Sequence, residues 1–248
     1  MKLKPIVFLV AITFILISCL STDKEIIPVV KKEKRLFPVL IDTLAEQAEY
    51  LETKIRLKAN YKPITFKKIT DTIFVNHDIY ESLTGKMSET EYQNYMRYHR
   101  TNIIADNVTK PTANTIKIFV DTTAIISKIY FNRHAKKLIL HKAYATYVVN
   151  TSVKDTVVLG LNSKMDMLLE ALNKENEWKQ IEGIQFIACA TGRTLFVLPE
   201  KDTLITETTI FKGNFKTKLC LKLGSAYSNQ FEGFIHETQL LDSDVDFY

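Results

Sequence analysis

The feature that most constrains this chain is a series of short β-prone stretches that begins after residue 114. They are Thr115–Val120, Ala124–Phe131, Lys137–Asn150, Asp155–Gly160, Ile184–Ala190, Thr194–Leu198, Leu204–Phe211, Phe215–Leu223 and Phe231–Thr238. Each is rich in β-branched and aromatic residues, and short polar turns such as Pro199–Asp202 and Gly213–Asn214 separate them. Roughly seven to nine strands at this spacing predict two antiparallel sheets packed as a sandwich. The stretch FKTKLCLKL shows the alternation plainly: Leu219, Leu221 and Leu223 share one face, while Lys216, Lys218, Cys220 and Lys222 share the other. The leucines are therefore expected in the core and Cys220 in solvent.

Upstream, the period changes. From about Pro38 to Asn60 the apolar residues Leu44, Ala48, Leu51 and Ile55 recur at helical spacing, which predicts an amphipathic helix. Ile64–Tyr80 is β-branched and aromatic, and reads as one or two strands. In MSETEYQNYMRYHR, Ser88 and Glu91 form a capping box and Met87 and Tyr92 a hydrophobic staple, so a second helix is expected to start at Ser88. Its face carries Tyr92, Tyr95, Met96, His99 and Ile103. Met165–Gly183 has helical composition, yet Met165, Met167, Leu169 and Ala171 alternate, and Asn173–Glu177 suits a hairpin loop leading to Trp178. The hairpin is the preferred reading. Together these elements predict an α+β protein: a small helical and strand region at 38–112, then a β-sandwich at 113–240 and an acidic tail at 241–248.

The first residues carry an address. Lys2 and Lys4 precede an apolar stretch from Pro5 to Ile17, too short for the roughly 20 residues of a spanning helix and suited to a secretory leader. The run closes on Leu16-Ile17-Ser18-Cys19, which resembles the lipobox of bacterial lipoproteins. That resemblance implies cleavage of 1–18, lipidation of Cys19, and anchoring in the bacterial cell envelope, at the outer membrane. Residues 19–37, of mixed charge and bounded by Pro28 and Pro38, read as a tether, although the Ile and Val run within them would equally suit an edge strand. Farther on, VVNTSVKDTVVLG, LLEALNKENEWKQIE, GNFKTKLCLKL and YSNQFEG are similar to immunoglobulin-like sandwiches of bacterial envelope lipoproteins. This likeness implies a fold and carries no activity.

Composition removes several functions. Taking Lys2 and Lys4 from 33 basic side chains leaves 31 against 28 acidic ones, a net +3 that is too mild to predict a nucleic-acid partner. The seven glycines never assemble a dinucleotide or phosphate loop, and no nucleophile-elbow or zinc-protease motif occurs. No cofactor and no metal are expected, and no catalytic residue is assigned. The histidines His77, His99, His134, His141 and His236 are scattered. His77-Asp78 and His236-Glu237 place acids beside two of them, but neighbours on a strand point to opposite faces. Asp242, Asp244 and Asp246 begin like a calcium loop, yet Phe247 stands where such a loop needs glycine. Lys212, Lys216, Lys218 and Lys222 form either a basic stripe for an anionic glycan or lipid head group, or a solvated strand face. Tyr92, Tyr95, Tyr98 and Trp178 suit sugar stacking if exposed; core packing explains all but Tyr98. Cys189 and Cys220 are either bridged or two unpaired thiols. The expected function is that of a lipid-anchored binding or structural module, with an envelope protein or glycan as partner; the alternative is a hydrolase whose site joins histidines across the two regions.

Overall fold

The computed structural model describes residues 37–64, 72–75, 99–100, 108–132, 137–162, 164–183 and 194–241. Within them the strands are β1 (Val39–Ile41), β2 (Leu51–Glu52), β3 (Leu57–Lys58), β4 (Thr72–Phe74), β5 (His99–Arg100), β6 (Val108–Thr109), β7 (Ile116–Asn132), β8 (Lys137–Asn150), β9 (Thr156–Leu161) and β10 (Lys164–Met165). There follow β11 (Met167–Leu172), β12 (Trp178–Gln180), β13 (Glu182–Gly183), β14 (Leu195–Leu198), β15 (Thr203–Thr209), β16 (Phe211–Lys212), β17 (Phe215–Leu223), β18 (Ala226–Tyr227) and β19 (Phe231–Ile235). The helical elements among these residues are two short 3-10 turns, Ala45–Gln47 and Glu237–Leu240. The molecule described is thus mostly β, built from several antiparallel sheets, and not α+β.

Its spine is the antiparallel pair of β7, 17 residues long, and β8, 14 residues long, with β15 on the other side of β8. The two stretches expected at Thr115–Val120 and Ala124–Phe131 are one strand. Register jumps between Asp121 opposite Ala145 and Ile125 opposite Tyr144, so Thr122, Thr123 and Ala124 are looped out. Asp121 organises the loop by accepting from Thr123 N at 2.9 Å. Because the insertion is odd, it exchanges the faces of β7: Ile116, Ile118 and Val120 enter one core cluster, whereas Ile126 enters the other.

The larger core gathers the inner faces of β7, β8 and β15 (Ile118, Val148, Leu204) with those of β11 and β17 (Met167, Leu169, Leu219, Leu221, Leu223) and of β9 and β14 (Leu159, Phe196, Leu198). On the opposite side of the spine, Tyr147, Ile126, Ala143, Ala145 and Ile205 meet Ile73, Val75 and Leu40. Phe37 joins them by stacking on Tyr147 at 4.0 Å and on Phe119 at 5.0 Å between ring centroids. Successive residues Tyr147 and Val148 are both wholly buried, which requires cover on both faces of β8.

The free edge of β7 is plugged by side chains. Asn229 accepts from Val120 N at 2.8 Å and donates to Val120 O at 3.0 Å, mimicking a neighbouring strand. Asp42 Oδ2 accepts from Ser127 N at 2.6 Å and from its hydroxyl at 2.7 Å. Such plugs use the donors and acceptors with which a bare edge would recruit another chain.

Several expectations hold at residue level. β17 has the bounds read from the sequence, with Leu219, Leu221 and Leu223 buried. β11 and β12 form the predicted hairpin, Leu172 opposite Trp178, and its loop turns on Asn176 at φ 61° with Asn173 Oδ1 accepting from Glu177 N at 2.7 Å. Gly224, at φ 59°, makes the β17–β18 turn where a Cβ would lie 2.3 Å from Pro111 O.

Three expectations are corrected. The helix predicted over Pro38–Asn60 does not form: the segment holds β1, a 3-10 turn, β2 and β3, and Ile55, placed on the buried stripe, is 60% exposed. Its backbone groups bond to distant strands, Leu51 N to Ile210 O at 3.2 Å, Lys142 N to Glu49 O at 2.8 Å, and Ala59 N to Gly183 O at 2.9 Å. Tertiary ladders outweigh the local helical preference. Cys220 is not in solvent but 3% exposed, a free thiol opposite the nearly buried Glu170, to which Lys222 Nζ pairs at 3.3 Å. Burial first, then the Glu170 charge, pushes that thiol up to about 12. Of the helix expected from Ser88 only the His99 and Arg100 positions are described, and they form strand β5 against β14 and not a helical stripe; the strand at Ile184–Ala190 and most of Ile64–Tyr80 lie outside the described residues.

Leu221→Ala should therefore cost about 2–5 kcal/mol through lost burial and a residual cavity. Urea unfolding followed by fluorescence of Trp178, the single tryptophan, measures it. Cys220 should resist alkylation until the protein unfolds; labelling of the native thiol at the rate of a free one would contradict its burial.

Candidate functional site

The residues singled out in the sequence do not converge among those described. Cys19, His77, His134 and the tail aspartates 242–246 lie outside the described residues, as do Tyr92, Tyr95, Tyr98 and Cys189, and His99 is described only as backbone in β5. His236 caps the second 3-10 turn: its Nδ1 bonds the Thr238 hydroxyl at 2.8 Å, and its N–H donates to Gln239 Oε1 at 3.0 Å. His141 stands on β8 opposite Lys128, half-buried, with Nδ1 lacking a partner; burial lowers its pKa. No group of three His, Cys, Asp or Glu among the described residues is arranged to hold a metal ion. Of the lysine stripe, Lys212 pairs with Glu52 at 3.6 Å, Lys216 with Glu232 at 2.7 Å and Lys222 with Glu170 at 3.3 Å. Local carboxylates thus balance much of its charge.

A different set of ionisable residues is brought together by the fold. Residues 59–64 run from β13 to the outer edge of β15. Ala59 N bonds Gly183 O at 2.9 Å, Tyr61 O accepts from Met165 N at 3.0 Å, and Ile64 N reaches Ile205 O at 2.8 Å. The Thr206 hydroxyl holds Lys62 O at 2.6 Å. This course buries Tyr61, whose hydroxyl donates to Glu182 Oε2 at 2.7 Å. The same oxygen accepts from Leu169 N at 3.0 Å, so one carboxylate ties the 59–64 segment and β11 to β13.

Lys128 and Glu207 complete the group. Lys128 lies two residues beyond Ile126 and Glu207 two beyond Ile205, so both share the face of the second core cluster. Glu207 sits opposite Ala145. On that face Lys128 is level with His141 of β8 and Glu207 with Ala145, and only Ala143 stands between them. The Lys128 ammonium rests 5.2 Å from the Tyr61 ring centroid.

Electrostatics divides the roles. Burial, then the charge and hydrogen bond of Glu182, hold Tyr61 well above its ordinary value, so its hydroxyl is a donor at any physiological pH. Burial also raises Glu182, against the Lys128 charge and the bonds from Tyr61 and Leu169. Glu207 is pushed up to about 7 by burial, with Lys128 and Lys62 pulling the other way. Its carboxyl therefore holds a proton to higher pH than a free glutamate does. Chemically, the cluster presents a buried hydroxyl donor beside a half-buried cation and a half-buried carboxyl, and perturbed acids of this kind mark candidate sites.

None of these four residues stood out in the sequence. Tyr61, Lys128, Glu182 and Glu207 are far apart in the chain, and a lone acid in QIEG or TETT looks like any surface glutamate. The usable signal was local: Glu207 falls in a strand whose neighbours are almost all β-branched, with no lysine or glycine nearby to make it an exposed edge.

No family model, curated protein or solved structure matches the chain.

Removal of the Tyr61 hydroxyl leaves a buried carboxylate short of a donor, so Tyr61→Phe should cost about 1–3 kcal/mol. A double-mutant cycle with Glu182→Gln should show strong non-additivity in urea unfolding; additive costs would mean that the pair contributes nothing. Because the folded value of Glu207, about 7, lies above its ordinary 4.5, its contribution to stability is full below pH 4.5 and is lost as pH rises through 7. Glu207→Gln should flatten that fall in unfolding free energy.

Proposed function

We propose that this chain is a lipid-anchored protein of the bacterial cell envelope, at the outer membrane, that acts as a binding or structural module built on an immunoglobulin-like β-sandwich. The observation that carries the reading is the order of the first 19 residues: Lys2 and Lys4, the apolar run from Pro5, then Leu16-Ile17-Ser18-Cys19. Cys19 takes the lipid, and the described body begins 18 residues later, at Phe37.

The sandwich part of the proposal is supported by the antiparallel groups β7–β8–β15 and β11–β17–β19, whose inner residues enter one core. Recognition on such a body falls to loops and exposed sheet faces, and the partner is an envelope protein or glycan. The mild net charge and the locally paired lysines argue for a partner that is not a polyanion. A hydrolytic site made of histidines is less well supported, since the His236 ring serves as a helical cap while His141 faces Lys128 on the spine.

Cys19→Ala should abolish processing and leave an uncleaved or soluble protein, measured by gel mobility, metabolic labelling with an alkyne fatty acid, and membrane fractionation. Unchanged processing and membrane retention in the variant would overturn the anchor.

A further inference from the structure

We propose that the outer face of the β12–β11–β17 sheet, flanked by β18 and β19, binds an oligosaccharide containing a uronic acid, with Trp178, Tyr227 and Phe234 stacking on its rings and Lys218 receiving the sugar carboxylate. This rests on the binding-module reading and names its partner class; it does not depend on the lipid anchor.

Strand alternation brings these residues to one face. The β17 leucines point into the core, so Lys216, Lys218 and Lys222 share the opposite side. Tyr227 of β18 pairs with Lys222, and Phe234 of β19 with Lys216. On the other flank Leu168 of β11 pairs with Lys222, which puts Leu172 on this face too, and Trp178 of β12 pairs with Leu172. Three aromatic side chains thus border one lysine column from both sides. Tyr227 and Phe234 stand about 20 Å apart along β17, and Trp178 lies three strand spacings, about 14 Å, across the sheet from them. Several sugar rings span such distances. Tyr227 is 52% exposed and Phe234 50%, the latter with no stacked ring or cation among the described residues. Trp178 is half-buried.

Charge selects among partners. Lys216 is taken by Glu232 at 2.7 Å and Lys222 by Glu170 at 3.3 Å. Lys218, opposite Glu232, is exposed and holds no ion pair among the described residues. The face therefore sets an unpaired cation between neutralised pairs, which complements an isolated carboxylate and not a polyanion. An apolar protein surface fits poorly: covering the face would desolvate both ion pairs, and charges separate the rings into single contacts instead of one patch. Sugar hydroxyls fit, because each donates and accepts and so joins a Lys–Glu pair without breaking it, while the C–H face of the sugar lies on an aromatic ring.

Isothermal titration calorimetry of the full chain in detergent tests this. The probes are hexasaccharides of hyaluronan and of unsulfated chondroitin, in which a uronic acid alternates with a neutral sugar, and chitohexaose as the neutral comparison. The expected result is saturable binding of a uronate probe, about threefold or more tighter than of chitohexaose. Trp178→Ala, Tyr227→Ala and Phe234→Ala should each weaken that binding by about three- to tenfold, and Lys218→Gln should erase the preference for uronate. Tyr50→Ala removes an exposed ring beside Lys142, away from this sheet, and should bind as the parent does. No saturable binding of either uronate probe, equal affinity for chitohexaose, binding unmoved by the ring variants, or an equal loss in Tyr50→Ala would each overturn the proposal. Cys19→Ala should bind the glycan normally, so a failed anchor and a failed glycan site are read separately.

Discussion

The structure depends on a central strand covered on both faces. With Tyr147 and Val148 both buried, β8 cannot tolerate the usual division into a dry and a wet side, and everything around it is arranged to supply two covers. The odd insertion at Thr122–Ala124 is what lets β7 serve both. Its first half gives Ile116, Ile118 and Val120 to the larger core, and its second half gives Ile126, and with it Lys128, to the smaller one. An even insertion would have sent Lys128 to the other face, away from Glu207. The candidate site is thus a by-product of strand parity.

That parity also explains what the sequence could and could not tell. Where one face is wet, alternation is clean: β11 and the β17 leucines were legible because their neighbours two residues away repeat the pattern. Where both faces are covered, alternation disappears, so β7 looked like two strands with a polar gap. The 38–60 segment misled for the opposite reason. Leu44, Ala48, Leu51 and Ile55 have helical spacing, but their backbone finds partners on β8, β13 and the Ile210 carbonyl, none of which a local window contains. Cys220 alternates with lysines and by pattern shares their exposed face, although the Lys222–Glu170 pair closes over that level of the sheet. Glu182 is illegible because a buried glutamate in such a sequence differs from an exposed one only in its distant surroundings, whereas the β-branched neighbours of Glu207 are a local sign.

Glu182 and Glu207 illustrate two ways to keep a carboxyl inside a β protein. Glu182 is held by donors from two elements and acts as a joint between them, so its hydrogen bonds offset desolvation while fixing the course of the chain from Ala59 to Ile64. Glu207 has cations within electrostatic reach and keeps part of its surface in water, while burial raises its carboxyl above the ordinary glutamate range. Placing both kinds beside one tyrosine couples a rigid joint to a labile one.

The Phe37 stack has a mechanical consequence. Tension pulling on the chain from its N-terminal side enters the body at a ring clamped between Phe119 and Tyr147, with Tyr147 Oη also bonded to Pro38 O at 3.4 Å. Behind it lies β1, three residues that among the described residues pair with β4 alone. Such a load would meet the Phe37 contacts and the three-pair β1–β4 ladder before it reached the long β7–β8 ladder. With only a short ladder behind it, the segment from Phe37 to Ile41 would then yield before the spine.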